Sequence, residues 1–311
     1  MANSVSGIFE TRLVPATVMA IQSLTYTKAA LGSIYWDFQA AGGEIGQTMN
    51  VPIPRVDQSD AADIGGGPLQ PSDTQHDLAQ ITLSNHISAS FVIKSWDAVR
   101  TPEKLSELYV QPKLEAALRQ CNSLVTGLFT SSNLNAYSSL TSGAASTFQR
   151  ADVNKLWGYL VGNGCPTSQS GNLTFLTHPA AYANMLSDTA FYSAQVVGED
   201  AARMAQQGGV LVPALGATIK FDQQMPTPSS KYAGVFLHRW AVAGVCAPPP
   251  SNAELGGVEE TYVYPLADAP KFTFQIQMGY SLRDQGTLIN IHTNVGFKIV
   301  RKDFAAYAVT A

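Results

Sequence analysis

Two stretches of strict alternation, separated by a Gly-, Pro- and Asp-rich insert, constrain this chain more than any other feature. The first, GQTMNVPIPR, sets Met49, Val51 and Ile53 against Thr48, Asn50, Pro52 and Pro54. That period of two predicts a strand, and prolines at alternate positions, which bring no ladder N–H, place it at a sheet edge. The second, AQITLSNHISASFVIKS, puts Ile81, Leu83, Ile87, Ala89, Phe91 and Ile93 on one face. Thr82, Ser84, His86, Ser88, Ser90 and Lys94 take the other, with Asn85 the only break. Read as one strand over 80–94, it would extend about 50 Å at roughly 3.3 Å per residue. Strands usually hold about 5–6 residues, so this one must project beyond a compact lobe or bend. The insert, VDQSDAADIGGGPLQPSDTQ, exceeds the roughly 12–15 residues of ordinary loops. It carries Asp57, Asp60, Asp63 and Asp73 and no Lys or Arg. The whole predicts a long hairpin with an acidic tip: an arm laid on another molecule, or a surface flap.

A helix signal follows. Thr101 can cap, Pro102 fits the first helical position and Glu103 favours the first turn. Pro112 then kinks or restarts the helix. Beyond it Leu114, Ala117, Leu118, Cys121, Leu124, Val125 and Leu128 recur at three and four, one amphipathic face about 25 Å long over 113–129. Upstream, residues 1–35 read as an arm with a short helix around 16–31. Downstream, residues 130–149 are a Ser/Thr/Asn/Gly-rich loop. An Asp152-led helix with Val153, Leu156, Trp157 and Leu160 comes next, then a strand in LTFLTHP, a helix in AAYANMLSDTAF and another short helix over Asp200–Gln207. GGVLVPALGATIKFDQQMP reads as strand, turn, strand, and YAGVFLHRWAVAGVC as a buried strand pair or one bulged strand. The C-terminal region is a strand series, with Phe272, Phe274, Ile276, Met278 and Tyr280 on one face and Gly286 and Gly296 as turn or bulge points. Uneven interleaving of strands and helices predicts an α+β fold.

Charged residues make up only 14% of the chain, against roughly 25% in typical soluble domains. A surface so poor in charge suits burial against partners. Net charge is −4, and no basic cluster exceeds Arg301–Lys302, so a nucleic acid partner would be contained rather than gripped. Cys121, Cys165 and Cys246 are far apart and odd in number, neither a disulfide framework nor a zinc site. No signal peptide is expected from MANSVSGIFETR. No apolar run reaches the roughly 18–20 residues of a bilayer span, so no membrane association is expected.

Catalytic patterns are missing. Gly65–Gly67 lies in the acidic insert with no helix signal behind it, and the sequence contains no P-loop, HExxH or GxSxG. His178 stands at a strand-to-helix junction, where an imidazole can serve chemistry or simply cap. Glu259 and Glu260 are adjacent, and strand neighbours face opposite ways. No catalytic, metal or cofactor residues are assigned.

The order of elements resembles the major capsid protein of tailed bacteriophages, the Hong Kong 97 type of shell fold. GQTMNVPIP with LAQITLSNHISASFVIKSWD resembles the strands of its extended loop, and LYVQPKLEAALRQCNSLVTGLF its spine helix. GVLVPALGATIKFDQQMP and the closing FTFQIQMGYSLRDQGTLINIHTNVGFKIVRKDFAAYAV resemble its later strands. The resemblance implies an N-terminal arm (1–35), an extended loop (36–98), a peripheral domain with the spine helix (99–150), a mainly axial domain (151–270) and C-terminal strands returning to the sheets (271–311). It implies homo-hexamers and homo-pentamers tiling an icosahedral shell around double-stranded DNA held without sequence-specific contact. Such a shell is assembled in the host bacterial cytoplasm and forms the virion. Further implied partners are a cement or decoration protein, a scaffolding protein and a portal. The acidic tip is expected to seek bases on a neighbouring subunit, which makes Arg55, Asp57, Asp60, Asp63, Asp73, Arg100, Lys104 and Lys113 the candidate contact residues. Some relatives weld their shells through Lys–Asn bonds; no lysine lies between Arg55 and Lys94, so non-covalent closure is expected here. An encapsulin-like nanocompartment shell, and a tail tube or head-closure protein, are the alternative readings.

Overall fold

The computed structural model describes residues 29–38, 43–54, 76–94, 109, 111–137, 147–167, 172–193, 198–200, 202, 205, 211, 215–249, 258–264 and 272–310, and the structural statements below are made of these. In chain order they form α1 (Ala29–Gly32), β1 (Tyr35–Phe38), β2 (Thr48–Pro54), β3 (His76–Thr82), β4 (Asn85–Lys94), α2 (Gln111–Thr126), β5 (Asn135–Ala136), α3 (Arg150–Gly162), β6 (Leu173–Thr177), α4 (Pro179–Leu186), α5 (Thr189–Tyr192), β7 (Ala217–Phe221), β8 (Ala233–His238), β9 (Val242–Ala247), β10 (Val258–Tyr264), β11 (Phe272–Ser281), β12 (Gly286–Ile299) and β13 (Ala305–Val309). Short 3-10 turns occupy Arg239–Ala241 and Lys302–Phe304. The mixture is α+β, as the sequence predicts.

β12 organises the first sheet. A strand has two edges, and the register shows how both are used. β4 runs antiparallel along residues 286–295 on one edge. The other edge is shared end to end by β11, paired with 286–292, and β9, paired with 294–299. β10 continues beyond β11, and β1 runs parallel to β9. The second sheet has the order β5-β13-β8-β6-β7. β2 and β3 form a separate two-stranded ribbon, paired from Thr48–Thr82 to Pro54–His76.

The helix α2 covers one face of the first sheet. Its Pro112 sits in the first turn, where no intrahelical N–H partner is needed. Leu114, Ala117, Leu118, Cys121 and Val125 are buried at helical spacing and pack with Ile87, Phe91, Cys246, Ile289, Ile291 and Val295 of the sheet. Each large apolar side chain so buried contributes roughly 1.5–3 kcal/mol. Cys121 is core, and burial pushes its thiol well up, away from the reactive thiolate. On the second sheet, α3 and α4 supply Val153, Leu156, Leu160, Ala181 and Met185 to a core with Phe148, Phe175 and Phe236. The Gln149 N–H donates to Asp152 Oδ2 (3.0 Å) at the start of α3, the acidic first turn that the sequence predicts.

A buried polar knot ties α1 to α2 and to the end of β7. Asp222 is fully buried. Its Oδ2 accepts from Ala30 N (3.0 Å), both its oxygens accept from Asn122 Nδ2 (2.9 Å each), and Oδ1 also accepts from Gln224 N (2.8 Å). Asn122 Oδ1 in turn accepts from Leu31 N (3.3 Å). A lone buried carboxylate is tolerated because donors surround it.

Several expectations need correction. Residues 80–94 are two strands: Leu83 and Ser84 break the run, so β3 belongs to the ribbon and β4 to the first sheet. YAGVFLHRWAVAGVC is two buried strands and not one bulged strand, but the two do not pair with each other. β8 joins the second sheet and β9 the first, with Arg239–Ala241 turning the chain between them. Gly286 and Gly296 are strand residues at close backbone approaches. β10, anticipated only in reading Glu259 and Glu260 as strand neighbours, extends the first sheet. Of the helix expected at 16–31, residues 16–28 lie outside the described residues and 29–31 are helical in α1; β1 already lies in the first sheet. The helix expected to begin at 102, the helix expected at Asp200–Gln207 and the first strand expected in GGVLVPALGATIKFDQQMP lie, over 102–108, most of 200–207 and most of 208–214, outside the described residues.

Candidate assembly interface

The ribbon of β2 and β3 is seated on the face of the first sheet opposite α2. Val51, Ala79, Ile81 and Leu83 are buried against Ala243, Val245 and Ala247 of β9. These β9 residues register with Lys298, Gly296 and Asn294 of β12, the even-numbered face, whereas Ile289, Ile291 and Val295 pack with α2. Small side chains on β9 let the ribbon come close. At Gly296 the approach is closer still: a Cβ there would overlap the Thr82 carbonyl oxygen and lie 2.9 Å from its carbon. Glycine is therefore required by proximity, not by turning.

Polar contacts fix the root. Asn294 Nδ2 donates to the Gly43 carbonyl (2.7 Å), so its Oδ1 is the acceptor facing His86 Nδ1 at 2.7 Å. Lys298 Nζ donates to the Gln80 carbonyl (3.1 Å). Gly46 N donates to Leu83 O (2.9 Å) and Leu83 N to Gln47 O (2.9 Å), continuing the ladder past Thr48–Thr82. The outer side is unlike the seat. Leu78 is 64% exposed and Ile45 60%, and Pro52, cross-strand from Leu78, is exposed too. The described ribbon ends at the Pro54–His76 pair, the point from which the acidic insert departs.

Of the eight candidate contact residues, Lys113 is exposed in the first turn of α2. Arg55, Asp57, Asp60, Asp63, Asp73, Arg100 and Lys104 lie outside the described residues. Gly296, Asn294 and Lys298, which seat the ribbon, were not singled out from sequence for this role; a glycine inside a strand pattern was the available signal, since it marks close backbone approach as well as a bulge.

The residues weighed for chemistry have structural explanations. His178 caps α4, its Nδ1 accepting from Ala180 N (3.2 Å), and stacks on Tyr232. Glu259 and Glu260 are consecutive residues of β10. Among the described residues no three His, Cys, Asp or Glu side chains are placed to hold a metal ion, and no helix is long and apolar enough to cross a membrane.

No protein-family model and no curated protein matches this sequence. Solved structures do. The capsid of Ralstonia phage GP4 superposes with a TM-score of 0.56 at 11% identity, covering 92% of this chain and 88% of that one. A structure of Mycobacterium phage Che8 gives 0.55 at 12% identity, with 85% and 84% covered. The chain has the Hong Kong 97 type shell fold. A virus-like particle from Pyrococcus furiosus shares it, at a TM-score of 0.51 and 9% identity over 94% of this chain and 96% of that one. The capsid and particle proteins sharing this shell fold are structural. α2 lies within LYVQPKLEAALRQCNSLVTGLF, the stretch that resembles the spine helix of that fold, and is called so below.

Proposed function

We propose that this chain is the major capsid protein of a tailed bacteriophage, self-assembling into hexamers and pentamers that close an icosahedral shell around double-stranded DNA. One observation carries the reading: the shell fold extends over nearly the full length of both this chain and the Ralstonia phage GP4 capsid. On this reading the chain divides, as the resemblance implies, into an arm (1–35), an extended loop (36–98), a peripheral domain with the spine helix (99–150), a mainly axial domain (151–270) and C-terminal strands returning to the sheets (271–311). The seated ribbon aims the acidic insert, and the insert lies across the next subunit against Lys113, Arg100 and Lys104. Exposed Leu78, Ile45 and Leu282 become contact surface in the ring. Many such contacts, each weak, sum around a closed shell. DNA is enclosed through an uncharged or acidic lining rather than bound by basic clusters, in keeping with a net charge of −4.

Electron microscopy of the purified protein tests this: closed shells or capsomer rings are expected, and a monomer at high concentration in every buffer overturns it. Deleting residues 57–75 is expected to leave a folded subunit that cannot close particles; normal particles from that deletion refute the bridging role. A second reading, a nanocompartment shell, is favoured by the Pyrococcus furiosus virus-like particle. The contents of particles isolated from the native source decide between them, DNA for the phage head and protein cargo for the compartment.

A further inference from the structure

We propose that His238 is an acid-sensitive lock on the joint between the two sheets, holding it closed while the imidazole is neutral and releasing it when the ring takes a proton. The joint belongs to the folded subunit and works the same way whatever a shell encloses.

His238 is the last residue of β8, and the three-residue turn Arg239–Ala241 that follows carries the chain from the second sheet into β9 of the first. Its side chain is fully buried. Nδ1 accepts from Trp240 N (3.3 Å), capping the turn, and an accepting Nδ1 places the ring proton of the neutral form on Nε2. That Nε2 has no hydrogen-bond partner among the described residues. Edge-on rings of Trp240 (5.2 Å) and Phe304 (5.8 Å) enclose the imidazole.

The charges around it come from three elements. Arg301, before the 302–304 turn, faces the ring as a like charge and lies over Phe304 at 5.1 Å. Lys302 and Asp303 belong to that turn, and Asp303 accepts from Asn135 Nδ2 (2.8 Å). Arg239 follows His238 directly and reaches over the Tyr35 ring at 6.0 Å. β6, paired through Leu173, brings an apolar residue opposite. A second proton on this ring would cost Nδ1 its acceptor role and break the cap. It would also leave a desolvated cation beside Arg301.

Burial, and then Arg301, lower the His238 pKa to about 4 from the ordinary 6.5. The sign follows. The open joint takes its proton as pH falls through 6.5, whereas the closed joint resists until about 4. Closure therefore weakens progressively between those values and not above them. A gap of that size changes the closed-to-open ratio by up to about 300-fold.

The test is the near-UV circular dichroism of the full-length subunit from pH 7.5 to 3. Wild type is expected to lose its aromatic signal within the 6.5–4 window. His238→Gln, whose amide oxygen can still accept from Trp240 N, is expected to move the midpoint to lower pH. Arg301→Gln removes the like charge, narrows the gap between the closed and open joint, and is likewise expected to move it lower. An acid midpoint that neither substitution moves overturns the proposal. Should His238→Gln fail to fold, the Arg301→Gln midpoint decides alone: a fall supports the lock, and an unchanged or raised value refutes it.

Discussion

Replacing Gly296 by Ala isolates the seat of the ribbon from every other feature of the subunit. Gly296 lies within β12 and not among the residues with positive φ, so alanine meets no backbone strain and gains β propensity. What it meets is the ribbon. The added methyl would overlap the Thr82 carbonyl oxygen and stand 2.9 Å from its carbon and 3.2 Å from Ile81 Cγ2, whereas relaxed contacts between such atoms lie at about 3.5–4.0 Å. One layer must retreat by an ångström or so. β12 is paired on both edges over 286–292 and 294–295, whereas a two-stranded ribbon is marginal by itself, so the ribbon gives way. Overpacking of this kind costs about 1–3 kcal/mol, and lifting the ribbon also strains the Lys298–Gln80 contact and the Val51, Ile81 and Leu83 seat. The expected outcome is a folded subunit with a Tm lower by about 2–8 °C, faster protease cleavage at residues 48–82 and a loss of closed particles larger than the stability change explains. Calorimetry, limited proteolysis and electron microscopy read the three effects. Unchanged Tm, cleavage and shells would refute the claim that the ribbon is held against β12.

Two further substitutions bracket that result. Gly158→Ala, at an exposed site in α3 with nothing within 4 Å of the added Cβ, should stabilise by about 0.5–1 kcal/mol in urea unfolding without touching assembly; a loss of stability would contradict the helix placement. Asp222→Ala leaves Ala30 N, Gln224 N and Asn122 Nδ2 short of acceptors and should cost about 3 kcal/mol, read as a lower urea midpoint, with α1 exchanging its amide protons faster than the second sheet.

Much of this fold is legible in the sequence wherever one element meets one partner. The spacing of Leu114, Leu118, Cys121 and Val125 gives the spine helix and its buried face together, because a helix has one core-facing side. Residues 233–247 defeat the same reasoning: both strands are buried at every position, so they show no alternation to say which sheet each joins. The acidic insert is legible as chemistry, through its four aspartates.

The misread of 80–94 has a more specific cause. Ala79, Ile81 and Leu83 are buried under the ribbon against β9, and Ile87 and Phe91 are buried against the spine helix. All five positions are odd. The ribbon rests on one side of the first sheet with its inner residues pointing down towards that sheet, and β4 lies within the sheet with its odd residues pointing the same way, towards the helix beneath. The chain therefore steps from one layer to the next at Leu83–Ser84 without turning over. Parity continues unbroken across the step, and a pattern of period two records which way side chains point but not which layer carries them. A ribbon seated on the face of a sheet has to make such a step, since its strand must leave the sheet plane to lie above it.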